Sequence, residues 1–227
     1  MIWKKKESKF GGTIRFKERM EELIKRLTEL CELTLSMIQE GLEAIIKDKE
    51  ELFGKLKAEL DIVHEHCDKI ESTVLESLAL HQPFAKDLRY IIALLKISNE
   101  IHRSAHDAVH IAHSTKFVEI GQQEDLLKRI IDLNDKALSM FDKSVKAFVN
   151  QKEMDITEWS KHDDEIDELH QDIITDITKA IEKEPDWARA GMSLGLTTRY
   201  IERIADHACN IVEEGNFVVT SKREKIL

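Results

Sequence analysis

Proline and glycine are scarce, with 2 and 8 in 227 residues. A β-sandwich or an α/β domain of this length turns about every ten residues and would need many more of both. Cysteine is rare too: Cys31, Cys67 and Cys209 are scattered, odd in number and form no CxxC pair. That excludes a disulfide framework and points to a reducing compartment. Long apolar runs are missing. The stretch from Tyr90 to Leu95 ends at Lys96, and no segment approaches the ~18 apolar residues of a membrane span. The start, Met1-Ile2-Trp3-Lys4-Lys5-Lys6, has a basic cluster with no apolar run behind it, so it does not read as a signal peptide. Positive charge is in deficit, with 34 Lys and Arg against 44 Asp and Glu and a net charge of −10. That argues against nucleic acid as a partner, which needs a clustered basic field, and permits cations.

What is present is Leu, Ile, Ala, Glu and Lys, the strong helix formers. The expected fold is all-α, with six long helices in two tandem three-helix bundles. Pro83 and Pro185 each interrupt a long helical pattern, and a helix ends before a proline and restarts at it. Gly121 is the midpoint break. The expected division is a flexible N-terminus over 1–12, a first bundle over 13–120, a second over 121–215 and a tail over 216–227, with Gly215 as the last helix's C-cap. Phe16, Met20, Leu23, Leu27, Leu30, Thr34, Met37, Gly41 and Ala44 step alternately by four and three, a heptad seam. A second seam runs through Leu56, Leu60, Val63, Cys67, Ile70 and Val74, and another through Trp159, Asp163, Ile166, His170, Ile173, Ile177 and Ala180. Laid over one another at an offset of 100, the stretches 88–112 and 188–212 share Arg89/Arg189, Leu94/Leu194, Ile101/Ile201, Arg103/Arg203 and Ala105/Ala205. The two arginine matches, at polar positions, argue for a duplication.

Two acidic pairs stand out. Glu202 and Asp206 are four residues apart, on one helix face, and so are Asp163 and Asp167. Asp163 occupies a seam position, where a carboxylate is costly unless it is paired or metal-bound. Facing pairs on neighbouring helices would supply four hard oxygen ligands, which suit Fe, Mn, Mg or Ca. The competing reading is a solvated acidic face with Arg199 and Arg203 as ion-pair partners. Histidine is uneven: seven of the ten lie between 64 and 113. His102, His106 and His110 form one row at helical spacing, and at the offset of 100 His102 and His106 fall on Glu202 and Asp206. With His64 and Asp68, this row would make a nitrogen-rich site for Zn, Ni or Fe. A ferritin-like di-iron oxidase needs Glu-x-x-His on two helices, and only the aspartate versions at Asp61, Asp107 and Asp167 occur. No Gly-rich phosphate loop and no HExxH is found, so catalysis is not indicated.

Gln82-Pro83-Phe84-Ala85-Lys86-Asp87-Leu88-Arg89 resembles the QP-x-A-x-DLR signature of the PhoU family. The stretch from Tyr200 to Ile211, with Glu202-Arg203-Ile204-Ala205-Asp206-His207, is similar to that family's ERIxDHAxNI segment, and Asp163 to Leu169 to its DxxID-x-L segment. The resemblance spans residues 13 to 220. It implies tandem three-helix bundles with pseudo-two-fold similarity and a multinuclear metal cluster, chiefly iron and sometimes zinc. It also implies a cytoplasmic regulator, possessing no enzyme activity, that dampens phosphate uptake and signalling at the inner face of the membrane. The implied partners are the ATPase of a phosphate ABC transporter and a membrane sensor histidine kinase. By position, Asp163, Asp167, Glu202 and Asp206 match the second-repeat metal motif. In the first repeat His102 and His106 stand where the family has Glu and Asp, and Leu60 and His64 where it has Asp and Asn. Asp87 and Arg89 match the DLR signature and become candidate partner contacts, although Asp87 equally suits the first turn of a helix. The long helices make a homodimer the expected assembly. A metal-free helical scaffold is the alternative.

Overall fold

The computed structural model describes residues 10–47, 49–117 and 124–226, except the side chain of Thr115. They form six long helices: α1 (Ile14–Ile46), α2 (Glu50–His81), α3 (Lys86–His113), α4 (Glu124–Asn150), α5 (Ile156–Lys183) and α6 (Ala188–Thr220). Short 3-10 turns follow α3 (Ser114–Phe117) and precede α6 (Pro185–Trp187). Helices α1–α3 make one three-helix bundle and α4–α6 the other. The bundles meet where α3 packs along α6 and α1 touches α4, and one continuous apolar core draws on all six helices.

Local chemistry explains the helix ends. The Thr13 hydroxyl accepts the Phe16 N–H at 3.3 Å and caps α1. Asp155 Oδ1 accepts the N–H groups of Thr157 and Glu158 at 2.8 and 3.2 Å and caps α5. Each proline lies three residues ahead of a helix rather than opening it: Pro83 before Lys86, and Pro185 before Ala188. In the first connection Gln82 and Ala85 take positive φ, so the proline sits inside a turn. The seam residues of α1 are buried, and its backbone approaches α3 so closely at Gly41 that a Cβ there would lie 2.7 Å from the Ala108 carbonyl oxygen. Only glycine fits that crossing.

Two expected boundaries move. Gly215 is buried inside α6, which runs on to Thr220 and ends at Ser221 in the left-handed region. The helix continues because Asn216 and Val218 are buried. The Asn216 amide exchanges two hydrogen bonds with the backbone of Met154, 2.9 Å from its N–H and 2.8 Å to its C=O. This clip and the apolar burial outweigh the ~1 kcal/mol that glycine costs a helix interior. The tail therefore starts at Ser221, and its described residues fold back, with Lys225 and the Ile226 N–H both on Glu213. At the other end, Phe10 is buried and Gly11 is held by a hydrogen bond rather than loose. Phe10 meets the Tyr90 ring edge-on at 4.9 Å, and the Gly11 N–H donates to Asp87. The remainder of the segment expected to be flexible, with the Lys4–Lys6 cluster, and the break at Gly121 lie outside the described residues. No helix is long and apolar enough to cross a membrane among the described residues.

Candidate metal centre

Helices α5 and α6 run side by side, and their heptad faces bring the two acidic pairs to one groove. Asp163, on the buried face of α5 between Trp159 and Ile166, is 5% exposed. Its Oδ1 accepts a hydrogen bond from Cys209 Sγ at 3.3 Å. Burial raises its pKa; the Cys209 contact offsets part of that, and the charges of Asp167 and Asp206 add to it. Glu202 is 7% exposed. One of its oxygens accepts from Arg199, and the other, Oε2, is buried without a partner. Burial pushes the Glu202 pKa up to about 7, with Asp206 and Asp167 adding and Arg199 opposing. Asp206 is half-buried and is raised by burial, with Arg199 opposing and Asp167 adding. Asp167 is exposed at the rim.

Burial and mutual repulsion raise the carboxyls of Asp163, Glu202 and Asp206 together, which makes the groove a candidate cation site. The two arginines beside the groove face different partners. Arg199 pairs with Glu202, whereas Arg203 turns away to Asp107 of α3 at 3.2 Å. His170, one turn beyond Asp167 on α5, is held below the ordinary imidazole pKa by burial and by Arg199, and its Nδ1 is buried without a partner.

The other bundle presents histidines. His64 Nε2 on α2 lies 3.3 Å from His106 Nε2 on α3. The His102 ring sits 4.7 Å from each of the other two. Among the described residues this is the one set of three metal-ligating side chains whose ligand atoms all lie within 4.8 Å of one another; the four carboxylates are spread more widely. Burial, then the neighbouring imidazoles, keep His102 and His106 below the ordinary pKa. His110, the third member of the sequence row, is exposed and instead stacks on Tyr200 of α6 at 5.0 Å.

The two DLR residues have partners within the chain. Asp87 Oδ2 accepts the Gly11 N–H at 3.1 Å, and Arg89 reaches the Val218 carbonyl at 3.4 Å, its guanidinium 5.9 Å from the Phe217 ring. Both tie chain termini to α3.

A further group carries no role in the sequence reading: a buried polar clamp between the bundles. His207, 2% exposed on α6, places Nδ1 2.8 Å from Glu100 Oε2 and Nε2 3.5 Å from Asp107 Oδ2, both on α3. Asn210 joins Glu100 at 3.2 Å. Burial by itself would lower the His207 pKa, but the hydrogen bonds to Asp107 and Glu100 raise it overall. The signal for this clamp is the spacing of Glu100 and Asp107, two heptad-equivalent acids on a face that is otherwise apolar.

The PhoU domain family model matches residues 27–115 and 130–215, a span that takes in both sites. A phosphate-specific transport system accessory protein PhoU homolog from Clostridium acetobutylicum is 27% identical over 209 residues, covering 92% of this chain and 95% of that protein. PhoU homolog 1 of the same description from Thermotoga maritima is 28% identical over 214 residues, covering 93% and 92%. The crystal structure of PhoU from Pseudomonas aeruginosa superposes with a TM-score of 0.85 at 20% identity, over 91% of this chain and all of that one. This likeness carries the six-helix architecture.

Proposed function

The chain belongs to the PhoU family, and from that premise we propose that it is a non-enzymatic accessory regulator of phosphate transport whose α5/α6 acids bind metal. Its relatives are named for the phosphate-specific transport system. In this reading the chain dampens uptake at the cytoplasmic face of the membrane. It acts there, as a homodimer, on the ATPase of a phosphate ABC transporter and on a sensor histidine kinase.

The observation that carries the metal half of the proposal is the buried, unpartnered Oε2 of Glu202 beside three further carboxylates. The donors fit a hard cation: all oxygen, mutually repelling, and partly withdrawn from water. Asp163, Asp167, Glu202 and Asp206 would hold it. Their spread is wider than one ion's coordination shell and favours several ions, iron foremost, sharing the carboxylates. Bound metal would supply positive charge that neutralises the groove and fixes α5 against α6. Cys209, through its bond to Asp163, and Arg199, through Glu202, orient the carboxylates.

A pull-down of the phosphate transporter's ATPase tests the proposal. The intact chain should retain it, and Glu202→Ala/Asp206→Ala should retain less. No retention by the intact chain, with or without added iron, would refute the adaptor role. Equal retention by both would separate the metal from that role.

A further inference from the structure

We propose that His64, His102 and His106 form a tris-imidazole site for a single borderline divalent cation, Zn2+ foremost, distinct in place and in chemistry from the carboxylate site. The inference goes beyond the regulatory function and does not rest on it.

One of the spacings is that of a tetrahedral site, and the third ring lies within reach. Two nitrogens bound to one Zn2+ at about 2.0–2.1 Å lie about 3.3–3.4 Å apart in tetrahedral geometry, and His64 Nε2 and His106 Nε2 are 3.3 Å apart. His102, four residues before His106 on the same face of α3, completes the set, with all three ligand atoms inside 4.8 Å. A hydrogen bond between two neutral imidazoles would explain the His64–His106 distance by itself. It leaves His102 unexplained: its Nε2 is buried with no hydrogen-bond partner, on a ring that meets both the others. A shared cation satisfies all three rings together.

The donor set selects the ion. Neutral imidazoles suit Zn2+, Ni2+ and Cu2+ and are poor ligands for Mg2+ or Ca2+. A fourth coordination position remains, beside a cavity of about 290 Å³ lined by His64, Cys67, Asp68, Glu71, Asn99 and His102 among others. Its two carboxylates favour a water or a carboxylate as fourth ligand and oppose an anion such as phosphate. The ion would staple α2 to α3. One chain would therefore carry an oxygen site between α5 and α6 and a nitrogen site between α2 and α3.

The test uses the full-length chain stripped with chelator and titrated with Co2+, then Zn2+. The wild type should take up one Co2+ with the intense visible bands of a four-coordinate nitrogen site, which Zn2+ abolishes by displacement. His64→Gln and His102→Gln should each lose those bands while Glu202→Gln/Asp206→Asn keeps them. Circular dichroism checks that each variant folds; should one His variant not fold, the other decides, because the two substitutions lie on different helices. A weak octahedral spectrum in the wild type would overturn the site. So would bands that persist in the folded His variants, or bands lost in Glu202→Gln/Asp206→Asn. Failure of the carboxylate site shows separately, as iron uptake unchanged by the acid substitutions.

Discussion

Glu202→Gln should stabilise the metal-free protein above neutral pH and do little for it in mild acid. The Glu202 pKa stands at about 7 in the fold against an ordinary 4.5. A raised carboxyl pKa means that the folded state holds the proton more tightly than the unfolded chain. Stability therefore falls as pH rises from about 4.5 to about 7, and the loss is complete above that. At ~1.4 kcal/mol per pKa unit, the charged Glu202 costs the fold about 3 kcal/mol at about pH 8. Glutamine has the same shape and no charge to bury. Its weaker hydrogen bond to Arg199 needs no further subtraction, because the Arg199 contact already opposes the rise in the Glu202 pKa. The net expectation is a gain of about 3 kcal/mol at about pH 8 and little change at about pH 4.5. Urea unfolding followed by circular dichroism, in chelator, measures both. A gain that is equal at the two pH values would refute the argument, and so would a loss at the higher one. With iron present the sign should invert, because metal binding needs the carboxylate deprotonated.

The other predictions concern the packing that holds the sites in place. Gly41→Ala should destabilise by about 1–3 kcal/mol in thermal or urea unfolding, since the new methyl would press on the Ala108 carbonyl 2.7 Å away. Asn216→Ala should cost about 2 kcal/mol, because it strands the Met154 N–H and C=O together. His207→Leu should cost about 3–5 kcal/mol by leaving Glu100 and Asp107 without their shared partner between α3 and α6. Its pH signature is opposite to habit for an acid. The folded His207 pKa is raised above 6.5, so its contribution is full below that value and is lost as pH climbs through the folded pKa, which unfolding at several pH values will trace.

How much of this was legible in the chain depends on the kind of contact. The heptad steps from Phe16 to Ala44 and from Trp159 to Ala180 are enough to place their helices, because burial of one face at helical period is a local property of sequence. The carboxylate at seam position 163 is legible for the same reason: a polar residue breaks an apolar stripe and so announces itself. His102 and His106 are legible as neighbours on one helix. That His64 joins them, and that His110 leaves the row for Tyr200, depends on how far α2 and α6 rotate against α3. The ends are least legible. Gly215 carries a C-cap's chemistry, yet the Asn216 clip to Met154, 62 residues away, holds the helix open past it. Phe10 is buried because Tyr90 and the first turn of α3 offer it a place, which no local pattern foretells. In the Glu100–Asp107–His207 clamp the spacing of the two acids on α3 is a local signal, but their partner His207 comes from the other repeat and reads on its own helix as an ordinary polar residue.

The most direct measurement is the metal content of the chain purified without chelator, wild type beside Glu202→Ala/Asp206→Ala. Carboxylates that converge on one groove and repel one another there predict bound metal in the wild type, iron foremost by the proposed function, and its loss in the variant, with any zinc at the histidines retained. The same negligible metal in both proteins, zinc at the histidines apart, would contradict a metal centre between α5 and α6.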